Sequence, residues 1–321
     1  MDADDRKESH VNPTTVAASP ATDNLERQVR ASFDRSGNDR LRMLLQSLTA
    51  HLHAFLRENN VTIEEWYAGV DFLTRTGWTC SETRQEFVLL SDVLGASMLV
   101  EVLAEARGEG GGATERTVLG PFHMTTSPER ELGSSIAGAG GERLLVYGRV
   151  SDTTGAAVPS AIIDVWQADG EGYYDVQLPD VVPPGSGRGL FTTNSAGWFY
   201  FETVAPAPYP IPSDGPVGEL LAAASRPVYR PAHLHFQVSA AGCREVTTHI
   251  FLADSPHLDS DAVFAVRPSL IRQRQTIDGD HGDLADLVVD PGGPPVPSIA
   301  EVLRVDLVLA PDADAMSWRS T

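Results

Sequence analysis

The segment Arg230-Pro-Ala-His-Leu-His-Phe236 alternates histidines with apolar residues. Successive side chains of an extended segment point to opposite faces. His233 and His235 therefore share one face, while Leu234 and Phe236 share the other. The apolar face suits a protein core, and two neutral imidazoles on the opposite face can bind one metal ion. The stretch predicts a strand that is buried on one side and carries a candidate metal site on the other.

Two tyrosine-containing segments upstream offer oxygen ligands for the same ion. Tyr174 lies in Gly172-Tyr-Tyr-Asp175, and Tyr209 lies between two prolines. Tyr173 is the adjacent alternative to Tyr174, and it points to the opposite face if this segment is extended. A phenol has a pKa near ~10, so a coordinated phenolate at neutral pH requires a strongly Lewis-acidic ion. Ferric iron has that character, whereas magnesium and calcium favour carboxylate and carbonyl oxygens.

Residues 113–321 are rich in short runs of β-branched and aromatic residues. Turn sequences such as Asp152-Thr-Thr-Gly155 and Asn194-Ser-Ala-Gly197 separate these runs. Strands at this spacing, with no helices between them, are typical of an antiparallel β-sandwich. The predicted strands are 144–150, 161–168, 197–204, 233–238, 247–252 and 302–309. The predicted long loops are 205–216 and 278–297.

Residues 23–112 show helical periodicity instead. An apolar stripe begins just after Asn38, and Thr62-Ile-Glu-Glu65 has the pattern of a capping box. A fourth helical segment is predicted to open at Ser81 and to end near the glycine-rich run at 108–112. Residues 1–22 are polar and are predicted to form a mobile tail. The sequence therefore predicts an α+β fold, with a helical domain followed by a β-sandwich domain.

Composition narrows the class of protein. The formal net charge is -20, which argues against nucleic-acid and anionic-lipid surfaces because those interactions rest on basic patches. Cys80 and Cys243 are the two cysteines, so neither a disulfide framework nor a cysteine-based zinc site is expected. No secretory signal is recognised in the first 22 residues, and no apolar run has the length of a membrane span. We expect a cytoplasmic protein without a membrane partner.

Five motifs occur in a fixed order along the chain. They are Thr117-Val-Leu-Gly-Pro-Phe-His123, Ile163-Asp-Val-Trp-Gln-Ala168, Gly172-Tyr-Tyr-Asp175, Tyr209-Pro-Ile-Pro-Ser-Asp-Gly-Pro-Val-Gly218 and Arg230-Pro-Ala-His-Leu-His-Phe236. In this order and at these separations they resemble the intradiol ring-cleaving dioxygenases. That family contains non-haem iron(III) enzymes, among them catechol and hydroxyquinol 1,2-dioxygenases. The resemblance covers roughly residues 24–309.

The resemblance implies an Fe(III) ion and assigns roles to single residues. The four implied metal ligands are Tyr174, Tyr209, His233 and His235. Among them, Tyr209 is the implied ligand that leaves when substrate binds. Arg230 falls where the family has an arginine beside the substrate ring. His249 falls where catechol-type members commonly have glutamine, and it is a further candidate catalytic residue.

The implied substrate is a small aromatic diol, with hydroxyquinol (1,2,4-trihydroxybenzene) favoured. Phe122-His123 and His249 resemble the hydroxyquinol subgroup more than the catechol-specific one. Leu89 and Asp92 fall where that subgroup lines the substrate mouth, and a carboxylate at Asp92 can accept a hydrogen bond from a third hydroxyl. The residues expected to line the substrate pocket are Leu89, Asp92, Val118, Leu119, Gly120, Val263 and Arg230.

The implied reaction uses O2 to open the ring between the two vicinal hydroxyl carbons, giving 3-hydroxy-cis,cis-muconate or maleylacetate in aromatic catabolism. Catechol and chlorocatechols are the alternative substrates. Outside this class, a non-catalytic β-sandwich binding module is the competing hypothesis. Family resemblance also implies a homodimer formed through the helical domain, with a phospholipid bound in a hydrophobic tunnel.

Overall fold

The computed structural model describes residues 20–81, 84–124, 127–277, 284, 296–297 and 299–312. The chain divides into two compact units, residues 1–74 and 75–321. Most of the predicted mobile tail and most of the predicted loop 278–297 lie outside the described residues. The predicted domain boundary at residue 112 remains a prediction.

The first unit is helical, as its periodicity predicts. It contains α1 (Pro20–Ser32), α2 (Asp39–Glu58) and the first part of α3 (Ile63–Thr79). The Asn38 side chain caps α2 by accepting a hydrogen bond from the backbone N–H of Leu41 at 3.0 Å. The predicted capping box at the start of α3 is confirmed. The Thr62 backbone N–H donates to Glu65 Oε2 at 2.8 Å, and the Glu65 backbone N–H donates to Thr62 Oγ1 at 3.2 Å.

The fourth helical segment differs from its prediction. It consists of two helices, α4 (Glu86–Val93) and α5 (Ala96–Ala106), and α4 begins five residues after Ser81. Between them Gly95 has a φ of 71°, a left-handed conformation that glycine adopts without steric cost. Leu and Val residues continue on both sides of Gly95, so the hydrophobic pattern of the sequence does not indicate this helix break. A further short helix, α6 (Pro216–Ala223), follows the predicted loop 205–216.

Twelve strands are described in the second unit. They are β1 (Arg143–Asp152), β2 (Ile162–Gln167), β3 (Arg188–Thr192), β4 (Trp198–Val204), β5 (Tyr209–Pro210), β6 (Tyr229–Arg230), β7 (His233–Ser239), β8 (Val246–Leu252), β9 (Ile271–Arg272), β10 (Gln275–Thr276), β11 (Glu301–Arg304) and β12 (Leu307–Leu309). One five-stranded sheet has the order β10-β11-β1-β12, with β4 also paired to β1. The other has the order β3-β2-β7-β8-β9, and β5 and β6 form a separate ribbon.

Two predictions about the strands need correction. The sheets are mixed, because β1 pairs in parallel with β11 and β12, and β8 pairs in parallel with β9. The predicted strand 302–309 is two strands, because the regular pairing with β1 is interrupted at residues 305–306. The main pairings, β1 with β4 and β7 with β2 and β8, are antiparallel as predicted.

The two large sheets pack face to face through aromatic side chains. Phe191 of β3 stacks on Phe201 of β4 with ring centroids 5.0 Å apart, and Phe199 meets Phe236 at 6.1 Å. Burial of rings of this size contributes much of the stability of such a core. Phe236 lies on the apolar face of the strand that carries His233 and His235. The core therefore fixes the register of the metal-site face.

Register brings several functional candidates side by side. In the second sheet, Trp166 of β2 pairs with His235 of β7, and His235 pairs in turn with His249 of β8. In the small ribbon, Tyr209 pairs with Arg230. Directly paired residues in an antiparallel sheet place their side chains on the same face. The pairing therefore forms a row of rings on one face of the sheet.

Across the described residues, none of the single helices has both the length and the apolar character of a membrane span. Only α4 and α5 taken together pass that test, and they are bent by 67° at the break between them.

Candidate metal centre and substrate pocket

Two phenol oxygens and two imidazole nitrogens converge in the second unit. Tyr174 Oη lies 3.3 Å from Tyr209 Oη and 3.0 Å from His235 Nε2. His235 Nε2 in turn lies 3.2 Å from His233 Nε2. All four side chains are buried. The structure therefore brings together the four residues that the resemblance named as ligands.

The neighbouring tyrosine does not take part in this cluster. Tyr173 is 46% exposed, whereas Tyr174 is 1% exposed. Phe122 stacks on the Tyr174 ring at 4.4 Å, and the Tyr174 backbone N–H donates to Gln177 Oε1 at 2.9 Å. These contacts fix the direction of the buried phenol, so Tyr174, and not Tyr173, lies against the two imidazoles.

The tautomer of His233 follows from its neighbours. Its Nδ1 lies 2.7 Å from the carbonyl oxygen of Pro231, which can only accept a hydrogen bond, so Nδ1 carries the proton. Nε2 then presents a bare lone pair to the cluster. Burial lowers the pKa of His233 well below its usual value, and the charge of Arg230 acts in the same direction. His233 is therefore a neutral imidazole, the form that binds metals.

His235 is oriented by packing. Its ring stacks on Trp166 with centroids 4.6 Å apart, and its buried Nδ1 has no hydrogen-bond partner among the described residues. Gly120 has a φ of 77°, and a Cβ built there would lie 3.0 Å from His235 Cε1. Burial lowers the pKa of His235 well below its usual value, and the nearby His233 and Arg230 add to this effect. Both imidazoles are therefore neutral.

The Tyr174 phenol needs a cation to ionise. Burial raises the pKa of Tyr174 well above its usual value, and the neighbouring Tyr209 raises it further. Neutral imidazole lone pairs and phenols of this kind fit a strongly Lewis-acidic metal, which displaces phenol protons. The imidazole nitrogens of His233, His235 and His249 also lie within 4.8 Å of one another and form a candidate metal cluster. The donor set fits a bound metal.

Arg230 is buried against these ligands. Its Nε donates to Asp261 Oδ1 at 3.1 Å, and its Nη1 lies 3.2 Å from His233 Nε2. Burial acts to lower the pKa of Arg230, but the Asp261 carboxylate and the oxygens of Tyr209 and Tyr174 together outweigh that effect, so the pKa is raised above its usual value. Arg230 Nη2 has no hydrogen-bond partner in the described part of the chain. A fixed positive charge with a free donor therefore adjoins the metal ligands.

His249 lies on the other side of the same guanidinium. Its Nε2 is 3.4 Å from Arg230 Nη1, and its Nδ1 is hydrogen-bonded to the hydroxyl of Thr117. Burial lowers the pKa of His249 well below its usual value, and the nearby His235 acts in the same direction. The predicted catalytic candidate therefore contacts Arg230 as a neutral ring.

A small cavity adjoins the four-residue cluster. Its lining includes six of the predicted pocket residues, Leu89, Asp92, Val118, Gly120, Val263 and Arg230, together with Tyr209. Leu119 lines a larger neighbouring cavity instead and is 42% exposed. Asp92 and Val118 line both cavities.

Asp92 is the buried carboxyl group in the pocket wall. Burial raises the pKa of Asp92, and this effect is partly offset by Ser97 and by the charge of Arg230. Its Oδ1 is buried and has no hydrogen-bond partner in the ranges that the structure describes. A buried polar atom without a partner costs free energy until a ligand pairs with it. Asp92 is thus available to a polar group in the cavity.

Several residues of this region escape sequence reasoning. Pro121, Phe122, Ile211 and Pro212 also line the small cavity. Asp261 pairs with Arg230 and accepts from the backbone N–H of Ala265 at 2.9 Å. Pro121, Phe122, Ile211 and Pro212 lie inside the motifs quoted above, and that position is the sequence feature that could have identified them. Asp261 lies in none of those motifs, and its role depends on a contact 31 residues away in sequence.

Comparison with known proteins gives consistent matches. A family model described as "Catechol dioxygenase N terminus" matches residues 38–112, and one described as "Dioxygenase" matches residues 121–297. A 6-chlorohydroxyquinol 1,2-dioxygenase of Cupriavidus pinatubonensis is 46% identical over 84% of this chain and 97% of that protein. A hydroxyquinol 1,2-dioxygenase of Nocardioides simplex is 43% identical over 93% of this chain and 99% of that protein.

Solved structures match as well. The structure of a hydroxyquinol 1,2-dioxygenase from Pseudomonas putida DLL-E4 has a TM-score of 0.80 and 42% sequence identity. The match covers 91% of this chain and 99% of the chain in that structure. The similarity therefore extends over both the helical and the sheet-rich regions.

Proposed function

Because this chain belongs to the intradiol ring-cleaving dioxygenases, we propose that it uses one Fe(III) ion and O2 to cleave hydroxyquinol between its vicinal hydroxyl carbons. The product is 3-hydroxy-cis,cis-muconate or its tautomer maleylacetate. The convergence of Tyr174, Tyr209, His233 and His235 beside an arginine-lined cavity is the observation that carries this proposal. We also propose that the protein is cytoplasmic.

Those four side chains would hold the iron. When bound, Fe(III) would supply a Lewis acid that ionises the phenols and accepts the deprotonated diol as a chelating ligand. The bare Nε2 of His233 and the stacked ring of His235 offer nitrogen ligands in fixed directions. Tyr209 lies between two prolines at the start of a two-residue strand, and its Oη would take one proton from the bound diol. The two flanking prolines restrict the backbone and would hold the Tyr209 side chain in place during this proton transfer.

Arg230 would stabilise negative charge on the substrate. It lines the small cavity, its charge is maintained by Asp261, and its Nη2 is free to donate. Preorganised charge in a site shielded from water is often the largest contribution to catalysis. His249 would act through its contact with Arg230 Nη1. The protein thus contributes ligand geometry, a fixed positive charge and exclusion of water.

Asp92 supports hydroxyquinol as the preferred diol. Its partnerless Oδ1 could accept a hydrogen bond from the third hydroxyl, whereas plain catechol would leave this buried group unpaired. The 6-chlorohydroxyquinol and hydroxyquinol enzymes among the relatives point in the same direction. Catechol and chlorocatechols are the alternative substrates, because the rest of the cavity lining is largely apolar.

We expect kcat/KM to be higher for hydroxyquinol than for catechol, as measured by steady-state assay of ring opening. Asp92→Ala should lower this ratio by about 10-fold or more, the usual consequence of losing one buried hydrogen bond to substrate. Asp92→Asn keeps a carbonyl acceptor of the same size and should lower the ratio less. A wild-type ratio below one would overturn the substrate preference, and an unchanged ratio in Asp92→Ala would remove this residue from the explanation.

The helical unit supports a homodimer, with phospholipid bound to the same apolar surface. Its helices expose large apolar side chains, namely Leu25, Leu41, Leu44, Leu48, Leu52, Phe55, Ile63, Trp66, Val70 and Leu73. Apolar patches of this extent usually mark an interaction surface. Bound phospholipid would be detected by solvent extraction and mass spectrometry of the purified protein.

We expect sedimentation to give a dimer, and Leu48→Glu to shift it towards monomer because a charge cannot be buried unpaired in an apolar interface. Ser47→Glu introduces the same charge one residue away, at a position on the flank of the apolar stripe, and should leave the dimer largely intact. A wild-type monomer, or equal effects of the two substitutions, would contradict this interface.

A further inference from the structure

Arg230 determines which nitrogen of His249 is protonated. A guanidinium group donates hydrogen bonds and cannot accept them. Arg230 Nη1 lies 3.4 Å from His249 Nε2, so that nitrogen must present a lone pair. An imidazole ring whose Nε2 accepts a hydrogen bond holds its ring proton on Nδ1. The single ring proton of His249 therefore resides on Nδ1.

Thr117 is the partner of that proton. Its Oγ1 is hydrogen-bonded to His249 Nδ1, and the residue is 1% exposed. The Thr117 backbone N–H donates to the carbonyl oxygen of Thr247 at 3.0 Å, which ties the threonine to the strand that carries His249. Without the Thr117 hydroxyl, the buried Nδ1–H of His249 would have no acceptor among the described residues.

We propose that Thr117 is a positioning residue, whose hydroxyl oxygen holds His249 in the tautomer that presents a bare Nε2 to Arg230. The inference rests on the proposed function in one respect. A metal bound to His233 Nε2 would occupy the lone pair that otherwise faces Arg230 Nη1 at 3.2 Å. Among the described residues, His249 Nε2 would then be the acceptor left for the Arg230 Nη1–H. Thr117 thereby directs the guanidinium without touching substrate.

The alternative role of Thr117 is to fill space, and paired substitutions separate the two. Thr117→Val removes the hydroxyl at nearly constant volume, and Thr117→Ser retains it. Thr248→Val is the matched control, because Thr248 is equally buried and its hydroxyl donates to backbone carbonyl oxygens, that of Glu115 at 2.8 Å and that of His249 at 3.4 Å, and not to the His249 ring. His249→Gln supplies a second background, since an amide presents its oxygen to Arg230 by rotating one bond and has no ring tautomer.

In the wild-type background, we expect Thr117→Val to lower kcat by about 10-fold with a smaller change in KM, as for one lost hydrogen bond. Iron content and visible absorption should stay unchanged. Thr117→Ser should restore kcat, and Thr248→Val should leave it near the wild-type value. In His249→Gln, adding Thr117→Val should lower kcat little further, because interacting residues give non-additive effects.

The effect of Thr117→Val on the free energy of unfolding is measured in the same two backgrounds by urea unfolding, which does not require turnover. Thr117→Val should lower stability more in the wild type than in His249→Gln. Equal losses of kcat and of stability in both backgrounds would overturn the proposal in favour of packing, as would full activity in Thr117→Val. Loss of iron in Thr117→Val would also overturn it. A wild type that opens no diol ring refutes the proposed function instead, while the unfolding cycle still tests the Thr117–His249 bond.

Discussion

Tyr174→Phe is expected to abolish the tyrosinate-to-iron absorption of this phenol and to lower kcat for ring cleavage by more than about 100-fold. Even an outer-shell partner of a metal ligand changes activity by about 10- to 100-fold, and Tyr174 is proposed as a ligand itself. The substitution removes one oxygen from a buried cluster in which Tyr174 Oη lies 3.0 Å from His235 Nε2. Iron content, visible spectrum and steady-state kinetics measure the effect.

Tyr173→Phe is the matched control, because it removes the same atom from the adjacent, half-exposed tyrosine. It should leave iron content, colour and kcat close to those of the wild type. If Tyr174→Phe kept full colour and activity, the proposed ligand set would be wrong. If Tyr173→Phe instead caused the loss, the neighbouring phenol would be the ligand, contrary to the packing of Phe122 on Tyr174.

Arg230→Gln is expected to lower kcat by about 100-fold or more, while iron remains bound, because it removes the fixed positive charge beside the substrate. The same substitution should also destabilise the fold by about 3–5 kcal/mol, since it leaves the buried Asp261 carboxylate without its partner. Steady-state kinetics and urea unfolding measure the two effects separately.

Arg230→Gln combined with Asp261→Asn distinguishes catalysis from folding. The double variant replaces the ion pair by two neutral amides, so most of the lost stability should return while kcat stays low. Recovery of kcat along with stability would show that Arg230 matters only for folding. Asp261→Asn alone keeps the guanidinium, and its smaller loss of kcat would report how firmly the carboxylate positions Arg230.

The helical and sheet-rich regions follow from local patterns, and these patterns are readable because they depend on neighbours in sequence. Asn38 and the pair Thr62 and Glu65 cap their helices through backbone groups three residues away. The break at Gly95 is less visible, because apolar residues continue on both sides of it. Parallel pairing of β1 with β11 and β12 joins segments more than 150 residues apart, which no local pattern encodes.

Sequence motifs identify the candidate ligands, but they do not specify the contacts around those ligands. Leu89, Asp92, Val118, Gly120 and Val263 line one cavity as expected, whereas Leu119 lines its neighbour. The contacts of Asp261 with Arg230 and of Thr117 with His249 have no signature in sequence. Each joins side chains from different strands and loops, so it exists only once the sheets have set their register.

By itself, the sequence determined which residue types were available for metal chemistry and which face of the His233–Ser239 strand would carry them, because alternation along a strand is a local property. Tertiary structure alone decided that Tyr174 rather than Tyr173 joins the two imidazoles. It also decided that Arg230 sits between His233, His249 and Asp261. The physical reason is that distances between side chains far apart in sequence are set by sheet pairing and core packing, which local preferences do not specify.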